Sequence, residues 1–187
     1  MSYQAYKNII IDTARASIQH GIQHQKPLIP DILSLPSALQ VQGACFVTLE
    51  INHQLRGCIG SLEAYRPLII DIANNAYAAA FSDPRFAPLS NDELSQISIE
   101  VSILGPKQAM VFTDEADCLN QIRPGTDGVI LEDNGRRATF LPSVWESLPE
   151  KKDFISHLKL KAGLPAEHWS DSIRIYRYET EMVSERD

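Results

Sequence analysis

ACFVTLEINHQLRGCIG, Ala44–Gly60, is the stretch whose reading decides the fold. Its first half, Ala44–Ile51, is rich in residues that suit a pleated, half-buried chain. Asn52-His53-Gln54 interrupts it with turn formers, and Leu55–Leu62 resumes as the partner strand of a hairpin. A third strand is written still more plainly at Ile97–Leu104, ISIEVSIL. There Ile97, Ile99, Val101 and Ile103 share one face, and Ser98, Glu100 and Ser102 the other.

Outward from these strands the pattern changes to a helical period. Tyr3–His20 places Tyr6, Ile10, Ala14 and Ile18 on one stripe, with Gly21 as the expected stop. Lys26–Leu39 holds Pro27, Pro30 and Pro36 and is expected to be an extended connector. Pro67–Phe81 puts Ile69, Ile72, Ala73, Ala76 and Ala80 on one face, and those small alanines call for close packing on a sheet. SNDE, Ser90–Glu93, has the spacing of a capping box opening a short helix. Asp114–Ile122 and Asp153–Ala162 are further helices, the latter ended by Gly163. GVILEDNGRRATFL predicts a second hairpin turning at Asn134-Gly135, and Ser172–Glu179 a terminal strand. Short-turned strands with interspersed helices predict an α+β fold with an antiparallel or mixed sheet.

Composition sets the outer bounds. The 187 residues are 44% hydrophobic and 22% charged, enough for one well-cored domain. The net charge of −7 and the lack of a lysine or arginine run argue against coating duplex DNA. No apolar run has the length of a membrane span, and the N-terminus lacks the pattern of a secretory signal, so a cytoplasmic protein is expected. Cys45, Cys58 and Cys118 are then expected as thiols and not as a disulfide framework.

LRGCIG, Leu55–Gly60, is where chemistry concentrates. Regular alternation sends Leu55 and Ile59 to one face and Arg56 and Cys58 to the other, with roughly 6–7 Å between the two latter Cβ atoms. A guanidinium at that range favours the thiolate, which is the reactive form. Gly57 and Gly60 lack a Cβ, so a ligand or another backbone can approach there. The opposing reading makes Cys58 a small buried hydrophobe, and the glycines a bulge or the seat of the alanine-rich helix.

LRGCIG, followed in order by AAFSDPRFAPLSNDEL, IEVSIL, GTDGVILEDNGRRATFLPSVW and LKLKAGL, resembles the AMMECR domain family over roughly Ala44–Trp169. The resemblance implies one domain spanning 1–187 with two lobes: a larger one with an antiparallel sheet and flanking helices, a smaller α+β lobe, and a cleft between them. It implies no assigned reaction and no cofactor. It does imply partners, since similar domains are encoded beside Memo-like and radical S-adenosylmethionine proteins. By position it selects Arg56 and Cys58, with Gly57 and Gly60, Asp83 and Arg85 of the DPRF loop, and Glu100, which is expected to pair with Arg56 or Arg85. The Arg56–Cys58 face bordered by glycines leads to the expectation of an enzyme or enzyme component in which Arg56 binds an anion, Cys58 is nucleophile or carrier, and Glu100 orients Arg56 or moves a proton. The rival is a non-catalytic binding domain for a protein or nucleic acid, with Cys58 structural.

Other residues carry weaker readings. His20 and His24 have helical metal-pair spacing but lack further ligands, so no metal site is expected. His53 is expected in a solvated turn. Asp127-Gly128 and Arg136-Arg137 flank the second hairpin, where the arginines read as an edge-strand guard or as a grip on phosphate or carboxylate. P-loop, dinucleotide, CxxC and HExxH motifs are absent.

Overall fold

The structure, a computed structural model, describes residues 2–186. In chain order its principal elements are α1 (Lys7–His24), β1 (Cys45–Ile51), β2 (Gln54–Gly60), α2 (Leu68–Phe81), β3 (Ser98–Leu104), α3 (Glu115–Gln121), β4 (Gly128–Asp133), β5 (Arg136–Phe140), α4 (Lys151–Lys161), β6 (Arg174–Tyr178) and β7 (Thr180–Ser184). Helices and antiparallel sheets make it α+β, as expected. The chain divides into two compact units, one running to Leu104 and resuming at Glu181, the other Gly105–Thr180. No helix among the described residues is long and apolar enough to cross a membrane.

In the first unit the strand order is β7-β3-β1-β2. The hairpin reads as expected, with Asn52 and His53 at positive φ forming its turn. Val47 lies opposite Ile59 on one side and Val101 on the other, so the alternating apolar residues of β1 and β3 share one face. That face, built from Cys45, Val47, Leu49, Ile99, Val101 and Ile103, meets Ile69, Ile72, Ala76 and Ala79 of α2 and Ile10, Ala14 and Ile18 of α1 in one core. Strand β7, which completes the sheet, was not expected; its sequence, TEMVS, carries no clean alternation.

Three local expectations are corrected. Helix α1 does not stop at Gly21 but runs to His24 and ends on Gln25 in the left-handed region. Gly21 instead lets α2 come close: a Cβ there would stand 2.5 Å from the Phe81 ring and 2.7 Å from that of Tyr77. The connector after α1 contains a 3-10 turn at Ile32–Ser34 and one helical turn at Ser37–Gln40. Ser90 donates through its backbone N and its Oγ to Glu93 Oε2, half of a capping box, yet successive turns follow it and no helix.

A buried polar knot joins α2 to the sheet. The Asp71 carboxylate, fully buried in the first turn of α2, accepts from Cys45 N (2.9 Å), Asn75 Nδ2 (2.9 Å), Ser61 Oγ (2.8 Å) and Arg66 Nε (2.7 Å). Its negative charge also suits the helix N-terminus. These bonds set the height of α2 over β1 and β2.

In the second unit the strand Gln108–Ala109 is followed by β6, β4 and β5. Val129, Leu131 and Ile175 pack on Trp145, Phe154 and Leu158, with the Trp145 and Phe154 rings stacked at 3.7 Å. Asp114 caps α3 by accepting from Asp117 N, and Asn134 and Gly135, both at positive φ, form the expected two-residue turn. Asp127 is buried and paired with Arg123, and a Cβ at Gly128 would strike the Tyr178 ring at 2.5 Å. Asp127-Gly128 is thus an architectural turn.

Candidate functional site

The chemistry of LRGCIG depends on a bulge that alternation does not predict. Leu49 faces Gly57 and Glu50 faces Leu55, so Arg56 has no residue opposite it. The expected separation of faces is therefore corrected. Gly57 and Ile59 lie on the core face, while Leu55, Cys58 and Gly60 lie on the other. The extra residue, Arg56, leaves the regular pleat and reaches the turns after α2.

The two glycines are filled spaces. A Cβ on Gly57 would stand 2.1 Å from the carbonyl oxygen of Ala79 in α2, and one on Gly60 would stand 2.2 Å from the Phe46 ring. The close backbone approach expected at Gly57 is made by the protein itself. Small residues on α2 and a missing side chain on β2 are two halves of one helix–sheet contact.

Arg56 does not pair with Glu100. Its Nε and Nη2 form a bidentate bridge to Glu93 at 2.7 and 3.1 Å, and Nη2 also donates to Ala87 O at 3.0 Å. The guanidinium stands 5.7 Å from the Phe86 centroid. Its Nη1 is buried without a hydrogen-bond acceptor, which marks an unmet polar demand. The Glu93 carboxyl is held down to about 2, chiefly by Arg56 and then by the Ser90 amide. Because the folded value lies below the ordinary 4.5, this pair stabilises the fold above pH 4.5 and fades as pH falls from 4.5 towards 2. With Glu93 28% exposed, its contribution is about 1 kcal/mol. Arg56→Gln is therefore expected to flatten the loss of stability across that window in urea melts at successive pH values. An unchanged slope would refute the pairing as a source of acid sensitivity.

Asp83 and Arg85 form the other half of the site. The Asp83 side chain, 2% exposed, accepts Cys58 N at 2.9 Å and Arg85 Nη2 at 2.7 Å on Oδ2, and Arg85 N and Nε at 3.1 and 3.0 Å on Oδ1. Those bonds, Arg85 first, hold its carboxyl far below the carboxylate range. Strand β2 is a sheet edge, and Asp83 satisfies its outward amide at Cys58. The same carboxylate aims Arg85. Asp83 raises the Arg85 pKa most, and Cys58 adds a smaller effect in the same direction. Arg85 also lies 5.5 Å from the Phe86 centroid. Arg85 is thus held by Asp83, which also binds the Cys58 amide, while the Arg56 guanidinium is bridged to Glu93.

Across the sheet, Cys58 lies opposite Thr48, and Thr48 lies opposite Glu100. These three share the face away from the core. Thr48 Oγ1 donates to Cys58 Sγ at 3.3 Å. A hydroxyl donor and a guanidinium both favour the charged sulfur over the neutral thiol. Cys58 is half-buried, in no disulfide, and differs from its two counterparts. Cys45 is fully buried and pushed well above the ordinary thiol value, first by desolvation and then by Asp71. Cys118 is pushed up to about 12 by burial and then by Glu115.

Thr48, Phe86 and Glu93 were not singled out in the sequence. Thr48 is a lone hydroxyl on the polar face of β1, but only the register brings it to Cys58. Glu93 was visible as a capping residue, and its second partner lies 37 positions away. His53 stays in the turn, with Nδ1 3.1 Å from Arg186 Nη1. His20 and His24 stack at 4.3 Å on α1, and no group of three potential metal ligands is assembled among the described residues.

Residues 11–183 match the family model described as AMMECR1. The chain belongs to the AMMECR1 family. It is 36% identical to a protein of Methanothermobacter thermautotrophicus, with 94% of this chain and 92% of the relative aligned. Its identity to protein MJ0810 of Methanocaldococcus jannaschii is also 36%, covering 92% of this chain and 86% of that one. The solved structure of the uncharacterized protein PH0010 from Pyrococcus horikoshii superposes with a TM-score of 0.89 at 27% identity, covering 97% and 92% of the two chains. The fold of this chain is thus also that of the solved PH0010 structure.

Proposed function

We propose that this AMMECR1-family protein is an enzyme or enzyme component whose reactive centre is Cys58 on the outer face of the first unit's sheet. The observation that carries this reading is the Thr48 hydroxyl 3.3 Å from the Cys58 sulfur, with Asp83 holding both the Cys58 amide and the Arg85 guanidinium. In this reading Cys58 supplies a thiolate that attacks an electrophilic centre. Thr48 and Arg85 stabilise the negative sulfur, and Glu100, one strand beyond Thr48, receives the thiol proton. Arg56, bridged to Glu93 and bonded to Ala87 O, is a positioning residue that holds the turns after α2 against the strand carrying Cys58. Partnership with Memo-like and radical S-adenosylmethionine proteins is part of the proposal and rests on the family resemblance.

Alkylation with iodoacetamide at successive pH values, read peptide by peptide, tests the centre. Cys58 is expected to react at least about tenfold faster than Cys45 and Cys118 at pH 7.5. Arg85→Gln is expected to move its midpoint upward by about one pH unit. A Cys58 no faster than the two buried thiols removes the reactive centre.

A second reading has one observation in its favour: Gly57 and Arg56 are engaged by Ala79 and Glu93, so part of LRGCIG is architecture. It makes the protein a binding domain with a structural Cys58. Cys58→Ser would then keep partner capture and cellular function, whereas a covalent centre loses turnover in a folded protein.

A further inference from the structure

We propose that the concavity at the β4–β5 hairpin of the second unit binds the phosphoryl group of a small phosphorylated ligand, gripped by Arg136 and Arg174. This stands independently of the Cys58 reading. The cavity has a volume of about 380 Å³ and is walled by Glu132–Arg137, Ser172 and Arg174. That is the lower range for small-molecule sites.

The register explains its charge. Glu132 lies opposite Arg137 on β5 and opposite Arg174 on β6, so three strands present a cation, an anion and a cation in one row. Glu132 bonds Arg137, Nε to Oε1 at 2.9 Å. Arg174 is exposed and forms no ion pair among the described residues. The other carboxylate of the wall, Asp133, is fully buried and already accepts from Ser172 Oγ (2.5 Å), His168 Nε2 (2.6 Å) and Ser170 Oγ (2.9 Å). Arg136, across the two-residue turn, is tethered through Nη1 to the Gly163 carbonyl, which fixes its head and leaves its remaining donors. Three arginines and two carboxylates that are each engaged thus line the cavity, on a chain whose net charge is −7.

An edge guard accounts for only part of this arrangement. β5 is the sheet edge, so Arg136 and Arg137 protect it, but Arg174 stands on β6, an interior strand. Forked guanidinium donors with a neighbouring hydroxyl match the several oxygens of a phosphoryl dianion. The wall has no aromatic ring on which a nucleobase would stack, so the phosphate itself is the recognised group.

Titration calorimetry with inorganic pyrophosphate at low ionic strength tests the site. Wild type is expected to bind, and Arg174→Gln and Arg136→Gln each to weaken binding about tenfold, which corresponds to the loss of one charge-assisted grip. Lys152→Gln, the same charge change at an exposed position of α4, is expected to bind as wild type does. Circular dichroism confirms folding, and Arg174→Gln alone decides if Arg136→Gln fails to fold. No binding by wild type at about 10 mM pyrophosphate, equal weakening by all three substitutions, or equally tight binding of citrate would each overturn the proposal.

Discussion

Gly57→Ala is expected to destabilise the protein by about 3 kcal/mol, far more than a glycine-to-alanine change on an ordinary strand, where alanine is the better residue. The new methyl would stand 2.1 Å from the Ala79 carbonyl oxygen and 3.0 Å from its carbon. Both belong to helix backbone, which has no rotamer by which to yield. The helix or the strand must move, and the four bonds on Asp71 oppose sliding α2. Gly135→Ala supplies the contrast. That site has φ +79 and open space, so only backbone strain of about 1 kcal/mol is expected. Urea unfolding of the two variants measures the difference. Equal costs would show that glycine at position 57 serves conformation and not the packing of α2.

Asp71→Ala is expected to cost about 4 kcal/mol, a fall of roughly 10 °C in Tm. The substitution removes the acceptor shared by Cys45 N, Ser61 Oγ, Asn75 Nδ2 and Arg66 Nε in a fully buried setting. Stranded buried donors cost more than the bonds themselves contribute. Asp71→Asn keeps the shape and one acceptor oxygen, so about half that loss is expected. A smaller loss for alanine than for asparagine would mean that the knot is dispensable and hydrophobic packing alone places α2. Because α2 carries Ala79 against Gly57 and leads into the Asp83–Arg85 turn, both substitutions also act on the Cys58 surroundings.

Local pattern made much of this architecture legible. The hairpin at Ala44–Gly60, the alternation in Ile97–Leu104 and the apolar face of Pro67–Phe81 each correspond to an observed element with the expected residues inside. The α+β class follows from their order, and the ordered motifs placed the chain in its family. Helix ends were less readable. Gly21 has the look of a stop, but its bare Cα serves the rings of α2, and a contact between helices leaves no local signature.

Within the site, sequence alone determined that Arg56, Cys58, Asp83, Arg85 and Glu100 come from short polar interruptions in strongly patterned segments. Only the tertiary structure decided their partners. A single extra residue at Arg56 reverses which side chains share a face, and a segment with glycine at two of six positions has too weak an alternation to specify that slip. The bulge allows Gly57 to seat α2 and sends Arg56 to Glu93. Cys58 is left with Thr48 across the strand and Arg85 from the following turn, a juxtaposition created by register and packing between positions far apart in the chain.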